Sequence, residues 1–126
     1  MKPNFVSIGA ACSAVGVALG AFGAHSLRGT VGEAELAIWE TATRYWFFGA
    51  LGMLAFGLFQ SKRPTVALPG VLLLVGSCLF SFSLYALALG APRAFGAVTP
   101  FGGLCLIAGF ASFAWLARAP VGPKAQ

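Results

Sequence analysis

The sequence predicts an all-α integral membrane protein: a four-helix transmembrane bundle with an interfacial helical segment before the second span. Of its 126 residues, 59% are hydrophobic and only 9% are charged. A soluble domain has about 45–50% apolar and about 25% charged residues. A chain this short cannot bury so much apolar surface in one water-soluble core. Lipid removes that problem, and the length fits a single membrane domain, residues 1–126.

Four apolar stretches supply the predicted spans, at about residues 5–25, 42–60, 66–89 and 100–117. A helix needs about 20 apolar residues to cross the hydrocarbon core. The second apolar run, Tyr45 to Phe59, is short, so we expect its helix to include the preceding turn. The first run also resembles a secretory signal peptide, because it follows Lys2 and contains the cleavage-like Ala21-Phe22-Gly23. Its long, glycine-rich apolar core favours a retained span.

The most polar part of the chain separates the first two spans. Thr30 and Glu33 stand at capping-box spacing, which predicts an interfacial helix over about residues 31–43. Continued into the second span, this helix would be about 45 Å long, more than the hydrocarbon core. Its first turns are therefore expected outside the core, with three aromatic residues at headgroup depth: Trp39, Tyr45 and Trp46.

The charge pattern predicts an orientation in the membrane. Eight Lys and Arg against three acidic residues give a net charge of +5. These basic residues punctuate apolar runs instead of clustering on one face, so membrane lipids are the expected partners and nucleic acid is not. With four spans, five basic residues share the side of both termini: Lys2, Lys62, Arg63, Arg118 and Lys124. Positive charge favours the cytoplasmic face, so we predict a multi-pass inner (plasma) membrane protein with both termini cytoplasmic.

Small residues recur at helical spacing in the first span. Gly16, Gly20 and Gly23 form a pattern that lets two helix backbones approach closely in lipid. We interpret it as a tight helix pair, within the bundle or between protomers of a homo-oligomer. The alternative is a glycine-rich span with no special partner. Cys12, Cys78 and Cys105 lie in apolar runs without CxxC spacing, which indicates buried hydrophobes and predicts neither a metal nor a cofactor.

Six side chains form a candidate polar or ligand-binding cluster on the side opposite the termini: His25, Arg28, Glu40, Arg44, Tyr45 and Arg93. Glu40 and Arg44 stand at i and i+4 in the favourable order for an ion pair. His25 is the only histidine, and a capping role at the helix end is favoured over a ligand or proton site. A structural network is likewise favoured over a binding site. No nucleophile elbow, phosphate loop or carboxylate pair is present, so no enzyme chemistry is expected.

Two stretches, Gly20–Leu27 (GAFGAHSL) and Trp39–Tyr45 (WETATRY), resemble the bacterial membrane family called domain of unknown function 423. Its animal relatives are called transmembrane protein 256. Ser81–Tyr85 (SFSLY) and the run from Arg93 to Gly103 also resemble that family. The resemblance implies four membrane helices and no established activity.

Two positions depart from the family pattern. Members often carry a histidine where this chain has Gly49, and a glycine where it has Phe82. If that second histidine belongs to a shared proton or ligand site, the site is altered in this chain.

These observations favour a non-enzymatic protein that binds lipid or a small apolar ligand, or that assembles through its glycine faces. The alternative is a small oligomeric transporter or channel, since four short helices scarcely enclose a pathway alone. Pores and coupled transporters place polar or ionisable groups at the membrane midplane. Here the third span offers only hydroxyl groups: Ser77, Ser81, Ser83 and Tyr85.

Overall fold

A computed structural model describes residues 2–120, which are helical without any strand. The predicted all-α class is therefore confirmed for the described part of the chain. A π-helical turn, Gly23–Leu27, extends the first helix, and a short 3-10 helix, Arg93–Ala97, precedes the last. The four α-helices are α1 (Phe5–Phe22), α2 (Glu33–Lys62), α3 (Leu68–Ala88) and α4 (Thr99–Ala117). Lys124 lies outside the described residues.

Three helical stretches are long and apolar enough to cross a membrane: Phe5–Leu27, Leu68–Ala88 and Arg93–Ala117. This confirms a helical membrane protein by length and composition. The second helix, α2, does not meet the same test, because its first half is charged and its apolar run is short. The fourth span therefore stays a prediction.

The start of α2 differs from the expected capping box. Gly32 occupies the N-cap position, and the Thr30 hydroxyl donates to the carbonyl of Ser26 at 2.9 Å. The reason is a tight turn in which Gly29 adopts φ +84° and the Thr30 amide donates to Leu27. That turn directs Thr30 back to the preceding helix, so the capping-box prediction is wrong. From Glu33 the helix then runs unbroken for 30 residues.

Each helix packs against the next one along the chain, and α2 also touches α4. Two buried apolar clusters hold this arrangement together. One lies towards the end of the molecule where the chain starts, and contains Phe5, Met53, Phe56, Leu73 and Leu106. The other lies towards the opposite end, and contains Leu27, Trp39, Ala42, Tyr85 and Ala88. Many large apolar side chains remain on the outer surface, as expected for helices that face lipid.

Glycines set the closest helix contacts. A Cβ atom built on Gly9 of α1 would lie 2.6 Å from the Ala50 carbonyl oxygen and from the Leu54 nitrogen of α2. A Cβ on Gly102 of α4 would collide with the backbone of Phe80 in α3. Only glycine permits such backbone contact, which is the packing mode that stabilises helix pairs in lipid.

One side chain joins the end of α4 to the turn between α2 and α3. The Arg63 guanidinium donates to the carbonyls of Ala119 at 2.7 Å and Pro120 at 3.1 Å. A cation at carbonyls that follow a helix C-terminus is favoured by the helix dipole. Gly57 near the end of α2 also packs against the backbone of Phe5 and Val6. The beginning of α1, the α2–α3 turn and the end of α4 therefore lie at one end of the molecule.

Candidate functional site

The six residues of the predicted polar cluster are all exposed. His25 lies in the π-helical turn and Arg28 follows it, whereas Arg93 begins the 3-10 helix before α4. The other three lie along α2. No side-chain hydrogen bond within residues 2–120 joins any two of the six. Their role as a ligand-binding cluster stays a prediction.

Two buried tryptophans of α2 bind the backbone of α1, and their predicted headgroup depth stays a prediction. The indole N–H of Trp39 donates to the carbonyl of Leu19 at 2.8 Å. The indole N–H of Trp46 donates to the carbonyl of Cys12 at 2.7 Å. Each indole is 4% exposed, so in lipid its N–H needs a partner inside the protein.

The glycines of α1 give these indoles access to the backbone. Gly16 and Gly23 each lie four residues after an accepting carbonyl, where a side chain would cover it. A Cβ on Gly16 would lie 2.9 Å from Cδ1 of Trp46, and one on Gly23 would lie 2.5 Å from Cδ1 of Trp39. Gly20 differs, because its Cβ would meet only Cγ2 of Thr43 at 3.7 Å.

Sequence reasoning selected these glycines but missed their tryptophan partners. A usable signal was present. Gly16 and Gly23 are seven residues apart, and so are Trp39 and Trp46. On two antiparallel helices, equal intervals of seven residues bring both pairs into contact, here Gly16 with Trp46 and Gly23 with Trp39.

Hydroxyl groups form a second set of contacts between helices. The Ser81 hydroxyl of α3 donates to the Ala42 carbonyl of α2 at 2.8 Å. The Thr43 and Tyr85 hydroxyls lie 2.8 Å apart. The buried serines of α3 are thus used within the protein, because Ser77 donates to its own helix and Ser83 bonds a hydroxyl of α4. Every buried side-chain nitrogen or oxygen within residues 2–120 has a partner.

The two positions that depart from the family pattern lie in different surroundings. Gly49 is buried, and a Cβ there would collide with the hydroxyl of Ser77 and lie 3.4 Å from Leu106. No histidine fits at this position while Ser77 keeps its place. Phe82 is half exposed and its ring centre lies 5.1 Å from that of Trp46. A glycine there would leave this face of Trp46 uncovered.

An apolar groove with a volume of about 640 Å³ runs between α2 and α4, and Phe80 of α3 also contributes to its lining. We call it the α2–α4 groove. It is lined by Tyr45, Phe48, Phe80, Gly103, Leu106, Ile107 and Phe110. The phenol of Tyr45 supplies the only polar side-chain group of this lining, and its ring packs 4.7 Å from that of Phe80. Of the six residues in the predicted polar cluster, only Tyr45 lines this groove.

The described part of the chain contains no cluster of side chains that could bind a metal ion. Among residues 2–120, no three His, Cys, Asp or Glu side chains come together in a way that could hold a metal ion. Cys12, Cys78 and Cys105 are half-buried free thiols.

Apolar helices long enough to cross a membrane define the chain as a helical membrane protein. It belongs to the family described as protein of unknown function (DUF423), whose sequence pattern matches residues 19–103. The matched region contains all six residues of the predicted polar cluster and most of the α2–α4 groove.

Curated relatives carry names that state a membrane location and no activity. The chain is 41% identical over 107 residues to a UPF0382 membrane protein of Staphylococcus haemolyticus, which covers 84% of this chain and 88% of that protein. It is 37% identical over 106 residues to the UPF0382 membrane protein YwdK of Bacillus subtilis, covering 82% and 86%. It is 40% identical over 114 residues to the UPF0382 inner membrane protein YgdD of Escherichia coli, covering 88% and 87%. No solved structure matches the chain.

Proposed function

We propose that this protein is a non-enzymatic inner-membrane protein that binds the acyl chain of a membrane lipid in the α2–α4 groove. The groove itself is the observation that supports this proposal, because it is an apolar groove between helices of a membrane protein. Its volume of about 640 Å³ lies within the range of about 300–1,000 Å³ typical of small-molecule sites.

The lining of the groove suits a hydrocarbon ligand. Aromatic and branched aliphatic side chains form its walls, with Phe48 and Ile107 half or more exposed to the space around them. Gly103 leaves room in the middle of the wall, because a Cβ there would lie 3.7 Å from the ring of Phe80. A lipid tail would contact apolar side chains along this space, with the Tyr45 phenol as the one polar side-chain group of the lining.

A larger side chain at position 103 tests the proposal, because it would occupy part of the groove. Gly103→Leu places an isobutyl group in the groove, and the Cβ atom of the new side chain would lie at an ordinary 3.7 Å from the ring of Phe80. We expect the variant to retain about tenfold less lipid than the original protein, as read by native mass spectrometry after mild detergent extraction. Leu104→Phe is the matched control, because Leu104 is 63% exposed on the same helix outside the groove. Equal lipid retention in all three proteins would contradict the proposal.

The four-span arrangement is part of the same proposal. The apolar half of α2 packs between α1 and α3, and its buried residues include Ala50, Met53 and Phe56. A helix covered on two sides by apolar spans needs less apolar surface of its own to cross the membrane. We therefore propose that α2 spans the bilayer from about residue 42 to residue 60, with its charged first turns outside the hydrocarbon core.

The basic end of the molecule is proposed to face the cytoplasm. Lys2, Lys62, Arg63 and Arg118 lie at the end that holds the start of α1 and the α2–α3 turn. We expect a cysteine at Lys62 to react with a membrane-impermeant maleimide only after cell lysis, in a background without native cysteines. A cysteine at Ala94, on the opposite end, should react in unlysed cells whose inner membrane is intact and whose outer membrane, where one is present, has been permeabilised. The reverse labelling pattern would show that the orientation is wrong.

A small oligomeric transporter or channel is the second candidate function, and the structure supports it less. The buried serines of α3 donate within the protein, so they do not line a water-filled path in one chain. The α1 glycines contact α2 of the same chain, which favours their role within the protomer over a role between protomers. Solute flux through vesicles that depends on His25 or Glu40 would reverse this ranking.

A further inference from the structure

We infer that a small cavity beside the π-helical turn binds an ammonium group, carried by the ethanolamine headgroup of a phospholipid or by a free amine. The cavity has a volume of about 140 Å³ and lies between the end of α1 and the first half of α2. One water molecule occupies about 30 Å³, so the space holds a group of several heavy atoms. The lining consists of Gly20, Gly23, Ala24, Trp39, Glu40 and Thr43.

The side chains of this cavity offer acceptors and no free donor. The indole N–H of Trp39 already donates to the Leu19 carbonyl, so Trp39 presents only its aromatic ring to the cavity. The Thr43 hydroxyl donates its one proton to the Trp39 carbonyl at 3.1 Å and accepts from the Tyr85 hydroxyl at 2.8 Å, so it has no free donor. The carboxylate of Glu40, a hydroxyl oxygen and an aromatic ring remain, and all three attract a cation.

The electrostatics of the cavity favour the same ligand class. Glu40 is its only charged residue and accepts no side-chain hydrogen bond from residues 2–120. The cavity lies beside the junction of α1 with the π-helical turn, because its lining includes Gly20, Gly23 and Ala24. A negative site in a chain of net charge +5 selects against the anionic headgroups that the rest of the surface attracts.

The depth of the cavity points to a lipid headgroup as one source of the ammonium. The apolar stretch that contains α1 runs from Phe5 to Leu27, and the cavity lies at its far end. Lipid headgroups begin where the hydrocarbon core ends. An ammonium group bound there donates to the Glu40 carboxylate in a charge-assisted hydrogen bond.

The structure provides two variants that separate binding from folding. Glu40→Gln removes the charge of an exposed residue, so the fold does not depend on it. Gly20→Ala adds a methyl group to the cavity at an ordinary 3.7 Å from Thr43, without the collision that Gly23→Ala would cause. Glu33→Gln is the matched control, because Glu33 is an exposed acid of the same helix outside the cavity.

The test titrates the full-length protein in detergent with short-chain phosphatidylethanolamine, phosphatidylglycerol and free ethanolamine, read by native mass spectrometry. We expect phosphatidylethanolamine to bind about tenfold more tightly than phosphatidylglycerol, and Glu40→Gln and Gly20→Ala to lose that preference. Glu33→Gln and the groove variant Gly103→Leu should keep it. Gly103→Leu therefore distinguishes a failure of this inference from a failure of the proposed function.

Free ethanolamine identifies the source of the ammonium group. Binding of both amines, lost in Glu40→Gln, supports an ammonium site open to soluble amines. Binding of the lipid alone, lost in the same variant, supports a headgroup site. Equal binding of both phospholipids, or unchanged binding by Glu40→Gln, would overturn the inference.

Discussion

Gly9→Ala is expected to destabilise the protein by about 3 kcal/mol, at the upper end of the usual effect of overpacking. The added methyl group would lie 2.6 Å from the Ala50 carbonyl oxygen and 2.9 Å from Cα of Leu54. Both are backbone atoms of α2, which cannot rotate away as a side chain can. The two helices must separate along their contact, and the loss is measured by reversible unfolding in mixed detergent micelles.

Gly103→Ala is the control for this prediction, because it makes the same chemical change on α4. Its new Cβ would lie at an ordinary 3.7 Å from the Phe80 ring. Replacing glycine by alanine inside a helix stabilises it by about 0.5–1 kcal/mol where the space is free. The two substitutions should therefore have opposite signs. If Gly9→Ala left stability unchanged or raised it, the close contact of α1 with α2 would be refuted.

The second large effect is expected when the two buried indoles lose their N–H groups. Trp39→Phe and Trp46→Phe each remove one bond to a carbonyl of α1, at 2.8 and 2.7 Å. Hydrogen bonds between membrane helices contribute about 0.6 kcal/mol on average and up to about 1.7. The smaller ring also leaves part of a filled site empty, so we expect a loss of about 1–2 kcal/mol for each substitution. The same unfolding measurement in micelles gives both values.

The double variant and a third tryptophan make this prediction specific. The two indoles lie about 10 Å apart along α2, so their effects should add. Trp115→Phe changes the third tryptophan, which is 65% exposed on α4, and should leave stability unchanged. If all three single variants were as stable as the original protein, the indole bonds to α1 would contribute nothing to stability.

Hydropathy carries most of the information about the helices. Apolar runs predicted the ends of α1, α3 and α4 to within a few residues, because lipid requires long uninterrupted apolar helices. The start of α2 was misplaced because Thr30 has the right spacing for a cap but is turned away by the backbone at Gly29. Whether such a cap forms depends on the direction of the backbone before the helix, and the spacing of two residues in the sequence does not reveal that direction.

The candidate sites were harder to predict, because they depend on pairing between helices. Trp39 and Trp46 have the composition of interfacial anchors, yet neighbouring helices bury both. The α2–α4 groove arises because α2 and α4 approach each other without closing, a property of no single segment. Among the predicted polar residues, Tyr45 lines that groove and Glu40 lines the cavity at the end of α1.

The most direct test of the proposed function is photo-crosslinking in nanodiscs with a phospholipid that carries a diazirine in its acyl chain. Mass spectrometry of the peptides then locates the modified residues. We predict modification concentrated on Phe48, Ile107 and Phe110 of the groove, and strongly reduced in Gly103→Leu. Val17 and Leu104, each 63% exposed outside the groove, should be modified less. Modification spread evenly over the exposed apolar residues, and unchanged in Gly103→Leu, would contradict acyl-chain binding in the α2–α4 groove.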